Sequence, residues 1–428
     1  MTQTMTHKNS WLSHTNMASV LVVMLGMMLF NSVALTNIAV LGLVLLSPFA
    51  WREFVLTNQS VDLDAKVFLT LILSLCAWDV ATNLMGGHSA GGAMNALLHD
   101  MRKFAFVVLL WAIFINPHVA RVGFWTVCAV VTVMTSINLL MTVSGLVSQG
   151  EYFTTGHWHL SHMSHMYGQA LVGFVFVLAQ MWLVRPKLSW RVMVPIILLL
   201  ASLFLASERR TGWVLFVAGL GVWVLLNVNR LFVGKYKWLL LAAGVSVIGV
   251  VACSDVVHRR MGLAVLEFNQ FLSMNSQERS AAMLGSVSIR MQYVSTVMEV
   301  IRHSNWWIGI GSINLPHAYQ AAATSVGVTP QAWVTYNWNN PHNEYLYMLA
   351  TKGLVGLVLY LSIFVQACRI AWGKSDEVQR LGLVMFVFLF MLSITTNSMM
   401  IDMEEGHFTM LILLIFLAPK SLDLIKQK

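Results

Sequence analysis

Three short polar stretches hold the residues of this sequence that are best suited to chemistry. His342 and Asn343 stand directly in front of a long apolar run, "SERRTGWV" contains Arg209 and Arg210, and "SVSIRMQYV" contains Arg290. Histidine can accept a proton near neutral pH, and the planar guanidinium of arginine suits phosphate oxygens. Together these residues could supply a general base and a binding site for a phosphate-bearing substrate.

Each of these residues also has a structural interpretation. An isolated histidine at the mouth of a membrane span is usually a satisfied polar residue. Arg209 and Arg210 could reach lipid headgroups or pair with Glu208, and Arg290 alone could be a solvated charge. The residue types by themselves leave both interpretations open.

Other polar groups give weaker signals. The stretch "GHWHLSHMSHMYG" contains histidines spaced for a zinc site on one helical face, but a polar external loop is favoured because only one carboxylate is near. The stretch contains His157, His159, His162 and His165, and the spacing of three would bring the last three onto one helical face. "GGHSAGG" lacks the Lys-Ser/Thr ending of a phosphate loop and is interpreted as a flexible connection. "DMEEGH" is interpreted as an acidic outer turn. Lys352 and Asp79 could face a cavity or reach outward.

The composition identifies the class of protein that must position these residues. The chain has 428 residues, of which 57% are hydrophobic and 10% charged, whereas soluble proteins have about 25% charged residues. We therefore expect an all-α polytopic membrane protein in contact with membrane lipids. The net charge of +8 does not indicate nucleic acid, because the basic residues lie in short loops where membrane topology explains them.

Apolar runs long enough to cross a bilayer predict about twelve transmembrane helices. Their expected bounds are Met17–Val33, Ala34–Ala50, Lys66–Leu84, Lys103–Pro117, Arg121–Val147, Met166–Val184, Trp190–Ser207, Thr211–Val228, Tyr236–Cys253, Glu344–Trp372, Val378–Met400 and His407–Pro419. More basic residues then fall on the side of the N-terminus, so both termini are expected in the cytoplasm.

One long connection, Ser254 to Asn340, would lie on the opposite side of the membrane, in the periplasm. It contains "LAVLEFNQFL" and "IRMQYVSTVMEVI", in which apolar residues recur three and four positions apart, so amphipathic helices that roof a cavity are expected. We predict one integral-membrane catalytic domain in three parts: helices 1–9 in residues 1–253, a periplasmic loop or lid in 254–341, and helices 10–12 in 342–428.

Taken together, these motifs resemble the O-antigen ligases, within the wider O-antigen ligase and polymerase superfamily. The resemblance rests on "HNEYLYMLATKGLVGLVLYL" from His342, on the arginine turn, on the segment around Arg290, and on "NWWIGIGSIN", which is similar to the family's glycine-turn segment. Trp306 and Trp307 stand where that segment often has proline. The motif order and the single long loop also agree with the family.

The resemblance implies a glycosyltransferase of lipopolysaccharide biosynthesis in the bacterial inner membrane. It would move O-antigen polysaccharide from undecaprenyl pyrophosphate to a sugar hydroxyl of the lipid A-core, at a periplasmic active site. His342 matches the essential histidine, and Arg210, with Arg209 beside it, and Arg290 match the arginines expected to bind pyrophosphate. Asn343 and Tyr345 are candidate substrate contacts. We expect inversion at the anomeric carbon and neither a metal nor another cofactor.

Two other classes of function stay open at this stage. Within the same superfamily, an O-antigen polymerase or a protein O-oligosaccharyltransferase would share the donor and much of the site, although the latter usually has a further soluble region after its last spans. A transporter or flippase for an anionic lipid would also suit outward arginines beneath a roofed cavity. The acceptor, and whether a covalent product forms, distinguish these functions.

Overall fold

The computed structural model describes residues 2–29, 32–57, 61–144, 154–155, 158–159, 174–181, 183–184, 189–203, 210–231, 255–274, 286–328, 341–383 and 403–422. Its helices are α1 (Thr2–Met28), α2 (Val33–Leu56), α3 (Leu63–Met85), α4 (Ala90–Asp100), α5 (Arg102–Phe114), α6 (Pro117–Val143), α7 (Ser189–Ala201), α8 (Arg210–Leu231), α9 (Asp255–Ser273), α10 (Ser286–Arg302), α11 (Leu315–Ser325), α12 (Glu344–Gly373), α13 (Glu377–Arg380) and α14 (Met403–Leu417). Residues 174–181 are also helical. The predicted all-α class is confirmed for these residues, apart from a two-residue antiparallel ladder between β1 (Thr154–Thr155) and β2 (Trp158–His159).

Several helices begin where a short polar side chain replaces a missing backbone partner. Ser32, Asp62, Ser89, Asn116 and Asn343 each accept a hydrogen bond from a backbone N–H in the first turn that follows. Such caps satisfy donors that the helix itself leaves unpaired. The ends of the apolar runs are therefore fixed by local chemistry.

Within the described residues, four helices are long and apolar enough to cross a membrane: α2, α3, α6 and α12. Their outward faces are apolar. In α2, the exposed residues Ile38, Leu41, Leu45 and Phe49 form one stripe at helical spacing. A face of this kind suits contact with lipid. The prediction of about twelve spans stays a prediction, and the expected span Lys103–Pro117 is a helix of only 13 residues, shorter than the roughly 20 that a span needs.

The packing centres on α12 and α14. Helix α12 lies against α3, while α14 packs between α5 and α6 and is buried on every side from Phe408 to Leu417. A helix that is apolar all round belongs in the interior of a helical assembly. The buried ammonium of Lys374, just after α12, donates hydrogen bonds to the carbonyls of Leu417 and Pro419 at 3.0 and 2.7 Å. This lysine ties the end of α12 to the end of α14.

Helix α12 is broken at Gly353, where φ is +64° and ψ is −169°. The segment 305–314, which contains the predicted glycine turn, lies against the break and bonds to its backbone. Ile310 and Gly311 donate their N–H groups to the carbonyls of Ala350 and Thr351 at 3.0 and 2.9 Å, and Leu354 donates to the Trp306 carbonyl at 2.8 Å. Polar backbone groups opened by the break are thus satisfied by another segment, as a membrane-embedded helix requires.

Two expectations about connecting segments need correction. Part of "GGHSAGG" is helical rather than a flexible connection, because Ser89 caps α4 and both Gly91 and Gly92 lie within it. "DMEEGH" is not a turn over its described residues, because α14 begins at Met403. The amphipathic helices expected in the long connection are confirmed as α9 and α10, with α11 in addition. The expected span Tyr236–Cys253 and most of Val378–Met400 lie outside the described residues.

Candidate functional site

His342 lies in a sharp turn immediately before α12. Its φ is +50°, which makes it the one residue other than glycine with a positive φ in the part of the chain that the structure describes. Such a backbone is uncommon for a side-chain-bearing residue, although histidine is among those that tolerate it. Strained backbone of this kind concentrates at functional sites. The turn sets the half-buried imidazole apart from the helix that follows.

The two neighbours of His342 that were predicted to contact substrate also have structural contacts. Asn343 Oδ1 accepts a hydrogen bond from the Leu346 N–H at 3.0 Å, so Asn343 is the cap that starts α12. Tyr345 packs edge-on against Tyr360, with ring centroids 5.9 Å apart and an interplanar angle of 72°. These contacts fix the start of α12, which directly follows His342. Contact of Asn343 and Tyr345 with substrate stays a prediction.

Tyr293 connects His342 to the helix that contains Arg290. The ring of Tyr293 stacks on the imidazole, with centroids 4.6 Å apart and planes 29° from parallel. Tyr293 is itself held by Tyr319, whose hydroxyl donates a hydrogen bond to the Tyr293 carbonyl at 3.1 Å. Arg290 is half-buried and precedes Tyr293 by one helical turn on a neighbouring face of α10. The fold therefore brings two of the predicted site residues, His342 and Arg290, onto one local assembly.

The arginine turn is described only in part. Arg210 is the first residue of α8, and nothing further is described for its side chain. Arg209 lies outside the described residues. The predicted meeting of this turn with His342 and Arg290 therefore stays a prediction.

Two groups that were ambiguous in the sequence form a buried ion pair. Lys352 Nζ lies 2.8 Å from Asp79 Oδ1, and both side chains are 0% exposed. The ammonium also lies 5.1 Å from the centroid of the Tyr347 ring, and the Trp78 indole donates a hydrogen bond to the Lys352 carbonyl at 2.8 Å. Lys352 therefore faces inward, one residue before the break in α12, and joins that break to α3. Charges this deeply buried persist only when they are paired.

Beside this pair lies a chain of hydrogen bonds that ends at an exposed histidine. Tyr347 donates its hydroxyl to Asp100 Oδ2 at 2.7 Å, and His99 Nδ1 lies 2.8 Å from Asp100 Oδ1. The side chain of His99 is 69% exposed, whereas that of Asp100 is 6% exposed. A buried carboxylate thus orients a histidine that meets solvent.

The two members of this pair shift each other's pKa in opposite directions. The hydrogen bond to Asp100 is the largest influence on His99 and raises the pKa of its imidazole. Burial acts to raise the pKa of Asp100, but hydrogen bonds from His99 and Tyr347 and the charge of Lys352 outweigh it, so the pKa of Asp100 lies below its ordinary value. Both shifts favour the charged forms of the pair.

Sequence reasoning did not single out Tyr293, His99, Asp100 or Tyr347. Tyr293 was inside the quoted "SVSIRMQYV", and a residue three positions after Arg290 falls on a neighbouring face of a helix. His99 and Asp100 form a polar interruption between two apolar runs, which was the available signal. The partner that gives them a geometry, Tyr347, lies far away in the sequence.

One pair of carboxylates that could hold a metal ion lies apart from His342. Asp62 and Asp64 form an Asp-x-Asp pair, but Asp62 caps α3 and Asp64 pairs with Arg369 at 3.2 Å, at the end of α3 opposite Asp79. His159 lies in β2, so the helical spacing expected from His159 onward does not begin there, and His157, His162 and His165 lie outside the described residues. Within the described ranges, no cluster of three potential ligand residues is found.

Comparisons with known proteins bear on this geometry. A search of curated proteins found no match to the chain. The family model described as O-antigen ligase matches residues 195–361. The matched region includes Arg210, Arg290, Tyr293, His342 and Lys352. Asp79 of α3 and Asp100 of α4, which contact side chains of α12, lie before the matched region. The apolar helices and this match identify a membrane protein, and the match supports the chain's membership of the O-antigen ligase superfamily.

Proposed function

We propose that this protein is an O-antigen ligase, which transfers O-antigen polysaccharide from undecaprenyl pyrophosphate to a sugar hydroxyl of the lipid A-core. The observation that carries the proposal is the stacking of Tyr293 on His342. This contact joins the helix of Arg290 to the turn that presents the imidazole, within the region matched by the family model. In this proposal, His342 is the base and Arg290 is the anion-binding residue that act on one substrate.

The chemistry follows from the donor. His342 accepts the proton of the acceptor hydroxyl, whose oxygen forms a new bond to the anomeric carbon of the donor glycan. The bond from that carbon to the pyrophosphate oxygen breaks, and the electron pair leaves with undecaprenyl pyrophosphate. Arg290 and Arg210, with Arg209, stabilise the charge that develops on the departing oxygens. One direct displacement of this kind inverts the anomeric configuration, and the general base accelerates it.

The membrane supplies both substrates in this proposal. The polyprenyl chain of the donor enters laterally from the lipid, and the acceptor sugars come from the periplasm. The chain lies in the bacterial inner membrane with both termini in the cytoplasm, and the segment with α9 to α11 covers the site. Guanidinium groups replace a divalent metal as the counter-charge, so a chelator is expected to leave transfer intact. Loss of activity that added magnesium restores would contradict that part of the proposal.

The acceptor distinguishes a ligase from its rivals. We suggest incubating purified protein in detergent with undecaprenyl pyrophosphate-linked glycan, with and without lipid A-core. A ligase gives a product only when lipid A-core is present, and that product carries the glycan on the core. A polymerase joins two lipid-linked glycans without the core, and a protein O-oligosaccharyltransferase requires a protein acceptor. A transporter forms no covalent product, because detergent leaves no compartments to transport between.

A further inference from the structure

An open cleft of about 790 Å³ lies beside the first turns of α12. One wall is α4, the second is the segment that leads into α11, and Tyr347 stands at the side of α12. The polar side chains that line it include His88, Asn95, His99, Asp100 and Arg102. Asn95 and His99 are both exposed and four residues apart on α4, so they share one face of the helix.

The His99 imidazole is fixed in a defined orientation. Its Nδ1 is held by Asp100, and Asp100 is held in turn by the Tyr347 hydroxyl. Nε2 is therefore the ring nitrogen left to meet a ligand in the cleft. A histidine oriented in this way can form a directed hydrogen bond at a small entropic cost, because its ring is already positioned.

The cleft adjoins the proposed reaction centre. Tyr347 lies in the first turn of α12 and follows His342 by five residues in the chain. Tyr347 lines the cleft, where its hydroxyl donates a hydrogen bond to Asp100. Its ring belongs to the apolar cluster that also contains Tyr293 and Tyr319. Tyr347 thus separates the cleft from the helix of Arg290.

The lining indicates the class of ligand. Amide, imidazole, carboxylate and guanidinium groups side by side can both donate and accept hydrogen bonds, which suits the hydroxyl groups of a sugar. An in-line displacement also needs the acceptor and the leaving pyrophosphate on opposite sides of the anomeric carbon. With Arg290 assigned to the pyrophosphate, the cleft beyond Tyr347 lies where the acceptor would stand.

We infer that this cleft binds the acceptor saccharide and that His99 and Asn95 hydrogen-bond its hydroxyl groups. The inference rests on the proposed function and deepens it, since it assigns the acceptor to α4. Asp100 acts through His99 as a positioning residue.

A binding measurement tests the cleft without any transfer. The probe is the core oligosaccharide released from lipid A, titrated into purified protein in detergent with no donor present. His99→Ala and Asn95→Ala are each expected to weaken binding about tenfold, the usual effect of losing one good hydrogen bond. His303→Ala is the matched control, because His303 is 72% exposed and also pairs with a carboxylate, that of Glu299. Equal affinities for wild type, His99→Ala and Asn95→Ala would overturn the inference.

Transfer kinetics separate this inference from the proposed function. His99→Ala is expected to raise KM for lipid A-core about tenfold and to leave KM for the donor unchanged. If wild type transfers glycan and His99→Ala leaves the acceptor KM unchanged, the cleft is not the acceptor site and the ligase proposal stands. A raised donor KM would assign the cleft to the donor and likewise overturn the inference. If the wild type binds the core oligosaccharide through His99 yet transfers nothing, the proposed function itself fails.

Discussion

At the scale of single residues, groups proposed to act on substrate differ in their surroundings from groups that lie at the surface. Arg290 and Arg302 lie on the same helix, α10, and differ in their surroundings. Arg290 is half-buried one turn from the tyrosine that stacks on His342. Arg302 is 74% exposed and pairs with Glu299 at 2.9 Å. The two arginines therefore form a natural test and control.

We predict that Arg290→Ala lowers the rate of glycan transfer by about a hundredfold, because a cation that stabilises charge in the transition state is lost. Arg302→Ala should leave the rate nearly unchanged. The measurement is the initial rate in the purified reaction, with far-ultraviolet circular dichroism to verify the fold. Equal rates for the two variants would remove Arg290 from the site.

The buried pair of Asp79 and Lys352 is expected to act on stability. Lys352→Met leaves a carboxylate buried without its cation, so we predict a loss of about 3–5 kcal/mol in the free energy of unfolding. Replacing both partners, as Asp79→Leu with Lys352→Met, should recover most of that loss. Unfolding in mixed detergent micelles measures the free energies of unfolding of the single and the double variant. A double variant no more stable than Lys352→Met would show that the two residues do not act as a pair.

At the scale of elements, the sequence predicted α3 and α12 to within a few residues, because long apolar runs are bounded by side-chain caps. It did not predict the break in α12 at Gly353. The hydrogen-bond partners of that break come from residues 306–311, and no local pattern in "ATKGLVG" reveals them. The same holds for the candidate site: the resemblance of their motifs to the family made His342 and Arg290 candidates, whereas their link through Tyr293 depends on tertiary packing.

Gly353 tests whether the break in α12 is required. An added Cβ at this position would overlap the backbone of Trp307, and the backbone conformation, with φ +64° and ψ −169°, is essentially restricted to glycine. We predict that Gly353→Ala costs about 3 kcal/mol or more in stability and also lowers transfer. Gly373→Ala, at the end of the same helix with open space around it, is the control. Similar thermal midpoints for both variants would contradict a structural role for the break.

At the scale of the whole molecule, the pair of His99 and Asp100 links stability to pH. The pKa of His99 is raised from 6.5, so its contribution is complete below that value and is lost as pH rises through the raised pKa. The pKa of Asp100 is lowered from 3.8, so its contribution is present above that value and is lost as pH falls through the lowered pKa. The pair therefore stabilises the fold most between these two ordinary values.

We predict that the difference in thermal midpoint between wild type and His99→Ala is largest near pH 5 and becomes smaller as pH rises above 6.5 and through the raised pKa of His99. Because His99 is mostly exposed, the pH-dependent part should stay below about 1 kcal/mol. The same comparison in an Asp100→Asn background should lose its pH dependence. A difference that is constant across the range would show that the two groups are not coupled.

We propose that His342 is the base of a glycan transfer. The purified reaction with wild type and His342→Ala tests this role. Undecaprenyl pyrophosphate-linked glycan and lipid A-core serve as substrates, and circular dichroism verifies that both proteins are folded. We predict that wild type forms glycan-bearing core and that His342→Ala is slower by about a hundredfold to ten-thousandfold. Substantial residual transfer by the folded variant would contradict the role of His342 as the base.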